Sequence, residues 1–245
     1  MSQEDTTSAA ARRCEGARVL VIDDEPEIGR AVRAGLRGAE FSVEWVATAA
    51  EGLERVAQWR PDVILLDLSL PDMDGVEVCR QLRAWTQTPV IVLSVRSREG
   101  DKVAALEQGA DDYLTKPFGM GELIARIRVA LRHVARAASG AGGDARMRVG
   151  DLEMDLERRL VTVGGREARL TPTEYEVLKY LMTNAGKVVT HSVLLHAVWG
   201  PSYEAEAHYL RVFINQLRRK IEPDPSRPRY LITEAGVGYR IRGPE

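Results

Sequence analysis

With 245 residues, the chain is long enough for one large domain or two ordinary ones, each with its own core. A hydrophobic share of 44% and a charged share of 29% are those of a globular protein, and no apolar stretch approaches the roughly 18–20 residues that cross a bilayer, so membrane insertion is not expected. The formal net charge of −2 divides unevenly: residues 1–147 carry 19 basic and 23 acidic side chains and residues 148–245 carry 15 and 13, which points to two halves with different partners.

The opening, MSQEDTTSAAARRCEGA, is polar and lacks the apolar segment of a secretory signal. Residues 1–17 are expected to form a disordered tail, and the protein to be cytoplasmic. Two cysteines, Cys14 and Cys79, lie far apart without CxxC spacing, so neither a disulfide framework nor a zinc site is indicated.

From Arg18 to about Arg136 short β-rich runs alternate with helical patterns. The runs are Val19–Ile22, Phe41–Val46, Val63–Leu66, Val90–Leu93 and Tyr113–Leu114; the helical stretches are 27–38, 49–59, 74–85, 99–108 and 120–136. In the last, Leu123, Ile124, Ile127, Leu131 and Val134 make one apolar stripe. Five strand–helix units in about 120 residues predict an α/β domain: a parallel sheet with helices on both faces. Residues 137–146, AASGAGGDAR, are small and have no stripe, as a linker would.

Beyond the linker the pattern changes. Residues 147–170 alternate and turn at Gly164-Gly165, which predicts short antiparallel strands. Thr171-Pro172-Thr173-Glu174 marks a helix start, with helices expected over 174–184, 190–199 and 205–222. The end, RYLITEAGVGYRIR, is a candidate hairpin with Gly236 and Gly238 in its turn.

In an open parallel sheet, ligands bind beyond the carboxyl ends of the strands. Those ends carry Asp23-Asp24, Asp67, Ser94 and Lys116, scattered over about 95 residues of sequence. Taken singly, an aspartate at a strand end is ordinarily a cap or turn residue, and a lone Lys-Pro in a loop carries no meaning. Together they suit one chemistry. Magnesium takes a few hard oxygen ligands and relieves repulsion among clustered carboxylates. A carboxylate can attack phosphorus and become an acyl phosphate, which an ammonium and a hydroxyl would stabilise. A calcium loop on "PDMDG" fails, because the first and twelfth ligand positions would be Leu70 and Gln81.

The segments "VIDDEP", "VILLDLSLPDMDG", "VIVLSVRS" and "GADDYLTKPF" resemble a response-regulator receiver domain, and the second half resembles the winged-helix effector domain of the OmpR/PhoB type. The resemblance implies a five-stranded parallel, flavodoxin-like receiver over 18–136, then a winged helix-turn-helix α+β domain over 147–245. It implies Asp67 as phosphoacceptor, magnesium held by Asp23, Asp24, Asp67 and the Ser69 backbone carbonyl, Ser94 with Tyr113 as a switch pair, and Lys116 on the phosphoryl group. On spacing alone Tyr113 would be only a half-buried strand aromatic. A homodimer on phosphorylation is implied too, with Lys102 facing Glu122 and Asp112 facing Arg126. Asp111 is present for a third pair, but His133 stands where an arginine would be expected, with Arg132 beside it.

On the helix 205–222, Leu210, Ile214, Leu217 and Ile221 form an apolar face, and His208, Arg211, Asn215, Arg218 and Arg219 lie elsewhere. A helix of this kind before a basic hairpin suits a major-groove reader with a minor-groove wing on double-stranded DNA. Arg211 and Asn215 suit base edges, and Arg218, Arg219 and Arg240 suit phosphates. The closing stretch is similar to regulators of Kdp-type potassium-transport operons, which implies a KdpD-like membrane sensor histidine kinase as phosphodonor and RNA polymerase as a further partner. Two rivals remain. A magnesium-dependent phosphohydrolase using Asp67 would want a carboxylate two residues on, where Ser69 stands, and enzymatic turnover is not expected. A winged-helix factor indifferent to phosphorylation is the other.

Overall fold

The computed structural model describes residues 16–96, 98–138, 146–200, 203 and 207–243. Most of the expected tail (residues 1–15), most of the linker (139–145) and positions 205 and 206 of the expected helix lie outside the described residues. The chain falls into two compact units, Met1–Ala135 and Arg136–Glu245.

The first unit alternates strand and helix: β1 (Arg18–Ile22), α1 (Pro26–Gly38), β2 (Ser42–Val46), α2 (Ala49–Trp59), β3 (Val63–Asp67), α3 (Gly75–Arg83), β4 (Val90–Ser94), α4 (Glu99–Glu107), β5 (Asp112–Thr115) and α5 (Met120–Ala138). All pairings are parallel, in the order β2-β1-β3-β4-β5. Every residue of β3 and β4 is buried, as expected for central strands covered on both faces. Val21, Leu65, Ile91 and Leu93 on one face pack with Leu123, Ile127 and Leu131 of α5, and Ile124 packs beside them partly buried; Val134, the last member of the expected stripe, is exposed instead.

Local chemistry sets the helix starts. Pro26 occupies the first turn of α1. The Thr48 side chain accepts from the Glu51 N–H at 3.3 Å to cap α2, and Asp74 accepts from the Val76 N–H at 2.9 Å to cap α3. The third helix ends two residues earlier than its pattern predicted, and Trp85 beyond it is 51% exposed.

The second unit opens with an antiparallel sheet of β6 (Arg146–Val149), β7 (Leu152–Asp155), β8 (Leu160–Val163) and β9 (Arg166–Glu167). Gly164 and Gly165 form the last turn, as predicted. Next come α6 (Pro172–Thr183), β10 (Val189–Thr190), α7 (His191–Val198), α8 (Ala207–Ile221), β11 (Leu231–Glu234) and β12 (Gly238–Ile241). A full capping box starts α6: Thr171 accepts from the Glu174 N–H and Glu174 accepts from the Thr171 N–H. The three helices pack on one another, and β12 pairs with both β11 and β10. This is a winged-helix α+β arrangement. The two-residue β10 had no readable pattern, and Gly238 proves to be the first residue of β12 rather than part of the turn.

Candidate functional site: a phosphoacceptor pocket and a basic helix

Strand order in the first unit reverses between β1 and β3, so the crevice beyond their carboxyl ends is where such a sheet receives a ligand. Asp23 follows β1 directly and Asp67 is the last residue of β3. They are 0% and 3% exposed, so the pocket is more closed than a strand-end position implies.

Lys116, after β5, reaches both. Its Nζ lies 2.7 Å from Asp67 Oδ2, 2.8 Å from Asp23 Oδ2 and 2.9 Å from Glu25 Oε1. Burial works against the ammonium, but the carboxylates of Asp23, Asp67 and Glu25 around it outweigh that and hold its pKa above the ordinary lysine value. Burial raises the pKa of Asp23 despite Lys116 and the Glu25 N–H. Asp23 Oδ2, although close to Lys116, accepts no hydrogen bond of good geometry. Three carboxylates share one ammonium, and one buried oxygen is under-satisfied; that donor set fits a small divalent cation.

Glu25 is the member of this group that sequence reading missed. It looks like an ordinary acid before the Pro26 helix start, yet its side chain meets Lys116 and stands, half exposed, over the pocket. Asp24, expected in the group, is exposed and is not among the carboxylates whose oxygens converge. Asp67 Oδ1 accepts from the Ser69 N–H at 3.1 Å, and Ser69 bridges to Asp74. A Cβ on Gly75 would lie 2.3 Å from the Asp67 carbonyl, so only glycine allows α3 to start this close to the acceptor strand.

Ser94 is 0% exposed, and its Oγ accepts from the Arg96 N–H at 3.1 Å. The Tyr113 ring is already buried, its hydroxyl donating to the Arg96 carbonyl, and burial pushes its pKa up. Lys102 Nζ stands 5.9 Å from the ring centroid.

The residues expected at a dimer face are partly engaged within the chain. Arg126 reaches Asp112 at 2.9 Å and Glu122 at 2.7 Å. Asp111 differs from expectation: it is 3% exposed, and its Oδ2 accepts from Arg83 at 2.8 Å and from the Val90 N–H at 3.0 Å. Arg83 also donates to the carbonyls of Gly109 and Thr88, each at 2.8 Å. This clamp between the α3–β4 and α4–β5 connections turns Asp111 inward. His133, at the third pair's other position, is 2% exposed.

In the second unit, Leu210, Ile214, Leu217 and Ile221 of α8 are buried. Arg211, Asn215 and Arg219 are exposed at i, i+4 and i+8, one solvent-facing stripe. His208 is largely buried and packs edge-on to Tyr209 at 4.6 Å between centroids. Arg240 pairs across the hairpin with Glu234 at 2.6 Å.

Arg218 turns to the protein rather than outward. Its Nε and Nη2 donate to the Leu231 carbonyl at 3.1 and 2.8 Å, and Nη2 donates to Thr233 Oγ1 at 2.7 Å. One turn on, Glu222 accepts from the N–H groups of Arg229, Tyr230 and Leu231 at 2.6, 2.9 and 2.8 Å. The pair ties α8 to β11. Arg218→Ala is therefore expected to lower the melting temperature and DNA affinity while leaving the slope of log affinity against log salt unchanged. A slope smaller by about 0.9 would instead mark a lost phosphate contact.

Among the described residues no helix is long and apolar enough to cross a membrane. The family model for the response regulator receiver domain matches residues 19–128, and that for the transcriptional regulatory protein C-terminal domain matches 165–241. The chain is 50% identical over 223 residues to the KDP operon transcriptional regulatory protein KdpE of Escherichia coli, covering 91% of this chain and 98% of that one. Identity and coverage are the same for the KdpE of Mycobacterium tuberculosis. Among solved structures, a mutant of RitR superposes with a TM-score of 0.74 at 26% identity, covering 93% of this chain and all of that one. The Thermotoga maritima OmpR/PhoB homolog DrrB gives 0.50 at 33%, with the same coverage. A receiver joined to a transcriptional-regulator domain, and a relative half identical along nearly its whole length, place this chain in the family of two-component response regulators of the OmpR/PhoB type.

Proposed function

We propose that Asp67 accepts a phosphoryl group from a membrane sensor histidine kinase of KdpD-like type and that this changes DNA binding by residues 147–245, with residues 18–136 as the receiver. The observation that carries the reading is the buried meeting of Asp67, Asp23 and Lys116 at the switch point of the sheet. An Asp67 oxygen forms a bond to phosphorus as the donor's phosphorus–nitrogen bond breaks, and the imidazole leaves with the electron pair. Asp23, Asp67 and Glu25, the carboxylates that converge, would hold Mg2+ with the Ser69 carbonyl, and the ion would supply charge neutralisation for the transferring group. Lys116 moves from Asp67 Oδ2 to a phosphoryl oxygen, which frees Glu25 and Asp23. Ser94 exchanges its bond with the Arg96 N–H for another phosphoryl oxygen, and Tyr113, tied to the Arg96 carbonyl, follows that loop.

Homodimerisation follows on the α4-β5-α5 face, with Lys102, Glu122, Asp112 and Arg126 re-pairing between copies. Asp111 is withheld from that face by Arg83. Exposed pairs contribute only about 0–1 kcal/mol each, so apolar contact across the same helices must supply most of the association. On DNA, Arg211 and Asn215 read bases and Arg219 meets phosphate, while Arg218, His208 and Arg240 support the helix and wing. The target is a potassium-transport operon of the Kdp type, acted on with RNA polymerase in the cytoplasm.

Arg211→Ala is expected to lose about 1–3 kcal/mol of discrimination between cognate and random duplex. Unchanged selectivity would remove Arg211 from the reading role. The operon assignment is tested by selecting bound genomic fragments with the intact, phosphorylated chain. Enrichment of a potassium-transport promoter supports it, and its absence from the selected set contradicts it.

A further inference from the structure

Asp23 is held from every side. Its N–H donates to the Val46 carbonyl at 3.1 Å, its Oδ1 accepts from the Glu25 N–H at 2.9 Å, and its carbonyl accepts from Trp45 Nε1 at 2.9 Å. Trp45 belongs to the edge strand β2, in register with Val21, and sends its indole across the end of β1 against α1. A Cβ at Gly29 would lie 2.4 Å from Trp45 Nε1, so the ring occupies space that any other residue there would fill. The Gly29 N–H donates to the Glu25 carbonyl at 3.0 Å. Asp23, Glu25, Gly29 and the indole thus form one connected unit.

We propose that Trp45 is a positioning residue of the acceptor pocket, holding the β1–α1 connection in the conformation that presents its carboxylates to a divalent cation beside Asp67. The inference rests on the reading that this pocket takes Mg2+. Asp23, Glu25 and Asp67 repel one another, and one ammonium does not neutralise them. Left to itself, a connection beginning with three acids would open. A neutral donor on the backbone carbonyl holds it without consuming any carboxylate oxygen, so the oxygens stay available to the cation. Phenylalanine would keep an aromatic ring at this position and lack the N–H.

The test uses the intact chain and Mg2+ alone. In the NMR spectrum the Trp45 indole N–H resonance is expected to shift with Mg2+, while those of Trp59, Trp85 and Trp199 stay in place. In calorimetric titration, Trp45→Phe is expected to raise the Mg2+ dissociation constant about three- to tenfold, the weight of one directed hydrogen bond. A Trp45 resonance that stays still through saturation, or a Trp45→Phe constant within twofold of the wild type, overturns the inference. If the wild type binds no Mg2+, the reading of the pocket falls first and the inference with it, so the two failures are distinct.

Discussion

Asp67→Asn is expected to abolish phosphoryl labelling by acetyl phosphate, with no residual modification elsewhere in the chain. Asparagine keeps the shape of the side chain but offers an amide in place of the nucleophilic carboxylate. The fold should survive, because Lys116 keeps Asp23 and Glu25 as partners. Intact-mass spectrometry after acetyl phosphate and Mg2+ measures the outcome, and a circular-dichroism melt confirms folding. A folded variant that still gains a phosphoryl group would move the acceptor away from β3.

Lys116→Met is expected to cost about 3–5 kcal/mol at neutral pH without metal, because an ion-pair partner is removed while buried carboxylates remain. Two conditions should reverse it. Millimolar Mg2+ restores positive charge to the pocket, so the variant's melting temperature should rise with Mg2+ more than that of the wild type. Acid should do the same. The folded-state pKa of Asp23 is raised, so its burial costs nothing below the ordinary carboxylate range and the cost grows as pH climbs through the raised value. Removing Lys116 enlarges that cost, so the gap between variant and wild type should narrow as pH falls through the carboxylate range. The wild-type lysine has a raised pKa, so its stabilisation is complete below the ordinary lysine value and is lost only in strong alkali. Denaturant melts across pH, with and without Mg2+, measure both effects. A loss independent of pH and metal would mean that Lys116 contributes packing rather than charge.

The sheet was legible because central strands such as Val63–Leu66 and Val90–Leu93 are unbroken apolar runs and α5 carries a stripe that is buried up to Leu131, with only Val134 left exposed. The convergence of Asp23, Asp67 and Lys116 followed from one topological rule, since strand ends in such a sheet share an edge. What escaped depends on side-chain direction. Nothing in "DDEP" shows that Glu25 rather than Asp24 turns to Lys116. Arg83 and Asp111 meet across 28 positions of sequence, and an arginine in the last turn of a helix looks like any solvated charge. Trp45 reads as a β-strand aromatic until its N–H is seen on Asp23. On α8 the apolar face followed from spacing, but Arg218 and Arg211 share a residue type and only the hairpin's position separates them.

Occupancy of the small pocket in the first unit is expected to control DNA binding by the second. The decisive measurement is the affinity of the intact chain for a selected promoter duplex, at fixed salt and Mg2+, with and without beryllofluoride. Tighter binding with beryllofluoride, absent in Asp67→Asn, is the predicted result. Equal affinity in both states, with beryllofluoride bound at the pocket, would contradict the claim and leave a DNA-binding protein indifferent to its receiver.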